Sequence, residues 1–133
     1  HTTAYWLTLP PPLGDDLARD QLQGGLLGLA HLLVNVAPIY LMCDPRDIHV
    51  TAQVRSPFTG RPTVYLYENF PETLGFSEKL YGMHRMLLEG ARDLVRDCTC
   101  ESGCPSCVGP VVEVGEEGKT IARRLLDALL SEE

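Results

Sequence analysis

Hydrophobic positions along the chain change period several times, and each change marks an element. The run Thr3-Ala4-Tyr5-Trp6-Leu7-Thr8-Leu9 is rich in aromatic and β-favouring residues and stops at Pro10-Pro11-Pro12. It predicts a strand followed by a stiff turn. From Asp15 onward Leu22, Leu26, Leu29, Leu33 and Val36 recur at spacings of four, three, four and three, with Leu27, Ala30 and Val34 beside them. That is the period of a largely buried helix of about 23 residues. Gly24, Gly25 and Gly28 each cost such a helix about 1 kcal/mol relative to alanine. Their presence inside it predicts a surface for close approach of another element. Pro38 is expected to kink or end the helix, with Ile39 to Met42 continuing as a buried tail.

Two alternating runs follow, Ile48 to Val54 and Thr63 to Tyr67, joined by Ser56-Pro57-Phe58-Thr59-Gly60-Arg61-Pro62. They read as an antiparallel hairpin that the strand from Tyr5 to Leu9 can complete into a small sheet. A second helix places Leu80, Met83, Leu87, Ala91 and Leu94 on one face and delivers the chain directly into Cys98. Val111-Val112-Glu113-Val114 reads as a short strand, and Ile121, Leu125 and Leu129 mark an amphipathic terminal helix. The expected class is α+β, with a small mostly antiparallel sheet packed on two long helices plus a C-terminal helix and a cysteine loop. No internal repeat or low-complexity stretch interrupts this order.

The loop carries the chemistry. Cys98, Cys100, Cys104 and Cys107 fall in the spacing C-x-C-x3-C-x2-C. Thiolates crowded that closely are stable together only around a shared cation, and Zn2+ at about 2.3 Å from each sulfur is the first reading. Gly103 and Pro105 suit a tight metal-binding turn. Two disulfides fit poorly, because Cys43 makes the cysteine total odd and no signal peptide precedes the set. An iron–sulfur cluster is the rival, since four thiolates also suit iron. With all four positions filled by protein, zinc would have no open site for water or substrate, so its role would be structural. At the end of a helix the cation would also gain up to about 1 kcal/mol from the macrodipole.

Composition narrows the rest. A chain of 133 residues with 44% hydrophobic residues is expected to form one domain, residues 1–133, with a real core. No apolar run is expected to reach the ~20 residues that span a bilayer, so a soluble domain without membrane contact is the reading. The net charge of −7 argues against a surface that is basic throughout. Local basic groups remain: Lys79, Arg85, Arg92 and Arg96 along the second helix, and Arg46, Arg55 and Arg61 around the hairpin. A chain that begins at His1 without an initiator Met reads as a piece of something longer.

Several motifs lead nowhere. Gly115-Glu116-Glu117-Gly118-Lys119-Thr120 stands where a phosphate-binding P-loop would, but it has two residues between its glycines instead of four, both acidic. It reads as a helix N-terminus, and no ATP hydrolysis is expected of these residues. His31, His49 and His84 form no i, i+4 metal motif and are expected to be structural or surface residues. Cys43 reads as a small buried hydrophobe and not as a fifth ligand. No nucleophile elbow or Cys/His pair marks a catalytic centre.

Taken in order, four segments resemble one family. They are Thr2-Thr3-Ala4-Tyr5-Trp6-Leu7, the stretch Ala37-Pro38-Ile39-Tyr40-Leu41-Met42-Cys43-Asp44-Pro45-Arg46-Asp47-Ile48, the segment Val64-Tyr65-Leu66-Tyr67-Glu68-Asn69-Phe70-Pro71, and the loop ending Gly103-Cys104-Pro105-Ser106-Cys107-Val108. Together they resemble the zinc-binding C-terminal domain of MrfA-type superfamily 2 DNA helicases. The resemblance implies a cytoplasmic, ATP-dependent helicase that moves 3′ to 5′ on single-stranded DNA in DNA repair. In it, the four cysteines would hold zinc in an accessory domain beside the motor domains of the same chain. Arg55, Arg61, Arg85, Arg92 and Arg96 are the candidates for DNA contact. Where the family pattern has an acidic residue and then a Pro-Gly-Gly-type turn, this chain has Glu68 followed by Pro71-Glu72-Thr73-Leu74-Gly75. Related domains also occur in anti-phage defence proteins that are not complete helicases. A cluster-bearing redox or sensing domain and a zinc-stabilised adaptor for protein partners stand as the alternatives.

Overall fold

Alternation along the first strand sorts its side chains at once: in β1 (Ala4–Thr8), Tyr5 and Leu7 point inward and are buried, while Trp6 points outward. The computed structural model describes residues 4–42, 44–57, 59–68 and 76–131. Thr3, Cys43, Phe58 and residues 69–75, where a turn is expected, lie outside them. β2 (Ile48–Gln53) and β3 (Thr63–Glu68) form the predicted antiparallel hairpin, and β1 joins β3 on its other side in the order β1-β3-β2. The register pairs Leu7 with Val64 and Val50 with Leu66 on the core face. It pairs Trp6 with Tyr65 and His49 with Tyr67 on the outer face, with ring centroids 6.5 and 5.6 Å apart.

The long helix α1 (Arg19–Leu41) runs through the centre of the molecule, packed against the sheet and against two further helices, α3 (His84–Asp97) and α5 (Gly118–Ser131). Leu26, Leu29, Leu32, Leu33 and Val36 are all buried. The glycines do what their cost implied. A Cβ on Gly24 would lie 2.2 Å from the Val114 carbonyl oxygen, one on Gly25 would lie 2.2 Å from Ile121 Cγ2, and one on Gly28 would meet Val108 and Ala122 at 3.2 and 3.3 Å. The helix therefore presents bare backbone to α5 and to the turn before it. That packing also accounts for a composition the sequence reading passed over: α1 is long and apolar enough to cross a membrane, with a mean hydropathy of 1.6, yet 61% of that window is buried inside the fold.

Four local expectations are corrected. Of the two outcomes expected at Pro38, a kink or an end, the end is excluded: the helix continues to Leu41, where Met42 in the left-handed region caps it. Nor is the stretch after Pro38 buried as expected: Ile39 is 72% and Met42 92% exposed, and Tyr40 and Leu41 are only partly buried. Ile39 borders an open groove of about 610 Å³ between α1 and α3, in which Gly90 offers no side chain to cover it. The second predicted helix is two: α2 (Phe76–Gly82) stops at Met83, whose φ of −114° and ψ of 24° break the helical path, and α3 follows. The break lets α2 lie across β1, where Tyr81 packs on Tyr5 and Trp6. The core face of α3 is consequently Leu87, Leu88, Ala91 and Val95, with Met83 and Leu94 only partly buried. Finally, Val111–Val114 is one helical turn, α4, and not a strand. Pro110 starts it and Gly115, at φ 81°, ends it, so no length remains for pairing, and Val114 is drawn instead into the contact with Gly24 and Gly118.

The close crossing makes a prediction. Gly24→Ala should lower stability by roughly 1–3 kcal/mol, because the clash is with backbone that cannot swing away. Gly82→Ala, with nothing within 4 Å, should be neutral or slightly stabilising. Urea unfolding of the two variants side by side checks this, and equal midpoints would remove the glycine contact from the account.

Candidate metal centre

Two helices deliver the loop. α3 ends at Asp97, and Cys98, in extended conformation, caps it with its N–H on the Leu94 carbonyl. The chain then tightens on itself, with the Cys107 and Gly109 N–H groups both donating to the Cys104 carbonyl at 3.0 and 2.9 Å. Gly109 sits at φ 94°, where a side chain would be strained and would strike the His31 ring. From α1, Asn35 Nδ2 donates to the carbonyls of Pro105 and Cys107 at 3.2 and 3.0 Å. One turn earlier, His31 Nε2 lies 3.0 Å from Glu113 Oε2. The central helix thus clamps the loop from one side by side chains whose partners lie far along the sequence.

The result is a compact set of sulfurs. Cys98 lies 3.5 Å from both Cys100 and Cys104, Cys100 lies 3.5 Å from Cys107, and Cys104 lies 3.7 Å from Cys107. All four sulfurs are within 4.8 Å of one another. A disulfide needs about 2.05 Å. A tetrahedron with bonds of about 2.3 Å has edges of about 3.8 Å. The set therefore fits one tetrahedral cation. A cluster would place several irons and bridging sulfides between the thiolates and hold them farther apart.

Charge explains why a cation belongs there. Cys98 accepts hydrogen bonds from the Cys100 N–H and from the neighbouring thiols, which lowers its pKa to about 7. Cys107, fully buried, is pushed up to about 12 by loss of solvent. Cys98 and Cys107 thus differ widely in their readiness to ionise. One further charge approaches: Lys119 Nζ, from the first turn of α5, donates to the Cys98 and Cys100 carbonyls at 2.9 and 2.5 Å and lies 3.3 Å from Cys100 Sγ.

The remaining candidates are dispersed. Arg61 is held by Asp15 at 2.7 Å and by the Leu9 and Leu13 carbonyls, tying the proline turn to the hairpin. Arg85 faces Glu89 at 3.4 Å, and Arg96 pairs with Asp93 and Asp97 at 3.3 and 3.0 Å. Arg46 is taken by Asp44. Arg55 and Arg92 have no ion-pair partner among the described residues. Sequence reasoning missed Asn35, Glu113 and Lys119. Nothing in their spacing points to the loop, and only the glycines of α1 hinted that another element would come so close.

Fold and site together define a small α+β domain built around a four-cysteine metal-binding loop. The profile of the MrfA Zn-binding domain matches residues 29–108, and the chain belongs to that family. An uncharacterised ATP-dependent helicase of Bacillus subtilis strain 168, YprA, is 36% identical over 129 residues, 97% of this chain and 17% of that protein. A protein of Methanocaldococcus jannaschii, MJ1572.1, is 26% identical over 111 residues, 77% of this chain and 97% of that protein. The crystal structure of the DUF1998 helicase MrfA bound to DNA superposes with a TM-score of 0.86 at 36% identity, over 97% of this chain and 17% of that one. MrfA bound to DNA and AMPPNP gives 0.74 at 35% identity, over 96% and 15%. The chain thus spans about a sixth of the length of its helicase relatives.

A pH dependence follows from the sulfurs. Without a cation Cys107 keeps its proton at neutral pH, because its pKa stands near about 12, so a divalent metal must displace that proton to bind. Affinity should rise with pH and fall on acidification, approaching tenfold per pH unit for each proton released. Chelator competition at pH 6, 7 and 8 measures it, and an affinity that does not change across that range would contradict the assignment of four thiolate ligands.

Proposed function

We propose that this chain is a structural zinc-binding accessory domain of an ATP-dependent DNA helicase that acts in DNA repair in the cytoplasm. Cys98, Cys100, Cys104 and Cys107 are its zinc ligands. The observation that carries this reading is the closed set of four sulfurs, all within 4.8 Å, which leaves a tetrahedral ion no position for water or substrate. The domain's contribution is then geometric. Zinc fixes the loop between α3 and α4, and the loop fixes the ends of the helices that pack beside the motor domains of the same longer chain. The rival iron–sulfur reading is disfavoured by the short sulfur–sulfur edges.

The metal assignment is checked by elemental analysis. One zinc per chain is expected, with no visible absorption, and Cys104→Ser should lose the metal and loosen the loop together with the end of α3. Stoichiometric iron, or a variant that keeps both zinc and full stability, would overturn it.

DNA contact is the finer part of the proposal. MrfA has been crystallised bound to DNA, which supports DNA as a partner of the intact helicase. Arg55 at the hairpin and Arg92 on α3 are the candidate cations without an ion-pair partner among the described residues; Arg61, Arg85 and Arg96 are held by partners within the domain and have less to offer a phosphate. In the full-length helicase Arg55→Ala or Arg92→Ala should weaken single-stranded DNA binding and reduce the magnitude of its salt slope by about 1 per lost contact. Unchanged affinity and slope in both would leave the domain as a motor-packing element.

A second reading has one observation in its favour. The similarity covers 97% of the M. jannaschii protein, which is hardly longer than the matched region and so has no room for a helicase motor. For this chain, a zinc-stabilised adaptor for protein partners, as in a defence complex, is the reading that so short a relative favours.

A further inference from the structure

The one part of the P-loop-like stretch that has a definite partner is its lysine. Lys119 does not face an open phosphate-sized cradle. Its Nζ is half-buried against the metal loop, where it donates to the carbonyls of Cys98 and Cys100 and approaches Cys100 Sγ at 3.3 Å. Among the described residues, no other cationic side chain contacts the sulfurs. The geometry is asymmetric: of the four sulfurs, Cys100 alone receives the ammonium.

Resting on the reading of the loop as a zinc site, we propose that Lys119 is a positioning residue of the metal centre that shields the Cys100 thiolate and makes it the least nucleophilic of the three half-buried ligands. The physical argument has two parts. Four thiolates around a divalent ion carry a net charge of −2, and a fixed ammonium at the edge of the set offsets part of it in a half-buried site. A charge-assisted N–H···S hydrogen bond also draws electron density from the one sulfur it touches, which lowers that sulfur's readiness to attack an electrophile. Cys98 sits at the exit of α3, Cys104 in the turn, and Cys107 is protected by burial, so each sulfur is guarded by a different means or by none. Lys119 supplies that protection for Cys100, which is only half-buried.

The two carbonyl contacts alone would make Lys119 a loop tie, so the test must separate charge on sulfur from tethering. The zinc-loaded protein is treated with N-ethylmaleimide, and zinc release is followed with a chromogenic chelator while mass spectrometry orders the adducts. In each event the thiolate sulfur forms a C–S bond to the maleimide as its bond to the metal is lost, and a water proton ends on the adjacent carbon. In the wild type Cys100 should be alkylated last among the half-buried cysteines. In Lys119→Met it should move to first or second, with zinc affinity lower on the order of tenfold, the usual scale for an outer-sphere partner. Lys119→Arg should restore the wild-type order.

Faster alkylation of all four cysteines in Lys119→Met with the order unchanged would make the lysine a tether and overturn the proposal. Should that variant fold poorly, Lys119→Gln keeps an N–H donor for the carbonyls without the charge, and Cys100 remaining last there would overturn it equally. A wild type that binds no zinc would bring down the underlying zinc reading and this inference with it. A zinc-loaded wild type whose Cys100 reacts early removes this inference alone.

Discussion

Four sulfur atoms within 4.8 Å of one another cannot all carry charge in a half-buried loop unless a cation sits among them, and the rest of the structure is arranged around that constraint. Without the cation the set is divided, with Cys98 ready to ionise near neutral pH and Cys107 held protonated by burial. With it, the thirteen-residue turn between α3 and α4 would become rigid enough to hold the end of one helix against the start of others. Such a loop has little hydrophobic core of its own. Its order comes from hydrogen bonds donated by Asn35 and Lys119 on helices that the loop does not belong to, to which a bound cation would add its own bonds.

That arrangement depends on how close α1 and α5 can come. Gly24, Gly25 and Gly28 remove the side chains that would keep Val114, Ile121 and Ala122 at arm's length. The approach brings the first turn of α5, and with it Lys119, within reach of Cys98 and Cys100, while α1 places His31 and Asn35 on the other side of the loop. An ordinary helix contact of 8–10 Å between axes, filled by leucines, would move the lysine away from the sulfur. The conformational cost of three glycines in one helix is thus offset by packing and linked to the metal centre through the same contact.

The sequence revealed the parts of this that depend on local periodicity and left hidden the parts that depend on distant partners. The long helix, the hairpin, the terminal helix and the convergence of four cysteines follow from spacing alone, and the structure bears each of them out. The glycines announced a close contact but not its partner, because α5 lies about ninety residues further along. Val111–Val114 misled, since β-branched residues favour strands in general, yet four residues between Pro110 and Gly115 have no strand to join. The break at Met83 was hidden because the apolar spacing continues through it; only the docking of Tyr81 against β1 makes the turn worthwhile. Lys119 was legible as a lysine after a glycine and no more, for its acceptors are backbone carbonyls about twenty residues earlier.

In the proposed role, surface charge sets how this domain would work with nucleic acid. The chain carries −7 overall, and many of its arginines are paired internally, so its field repels a phosphate backbone and cannot draw DNA from a distance. Arg61 illustrates the point: its guanidinium spends its donors on Asp15 and two carbonyls, joining the proline turn to the hairpin. A domain built this way gains little from binding DNA by itself. It is better suited to present one or two cations, at positions fixed by the metal loop and the glycine contact, to a strand already held by other parts of a longer protein. In that setting rigidity matters more than affinity, which is why a closed metal site with no open coordination position serves it well.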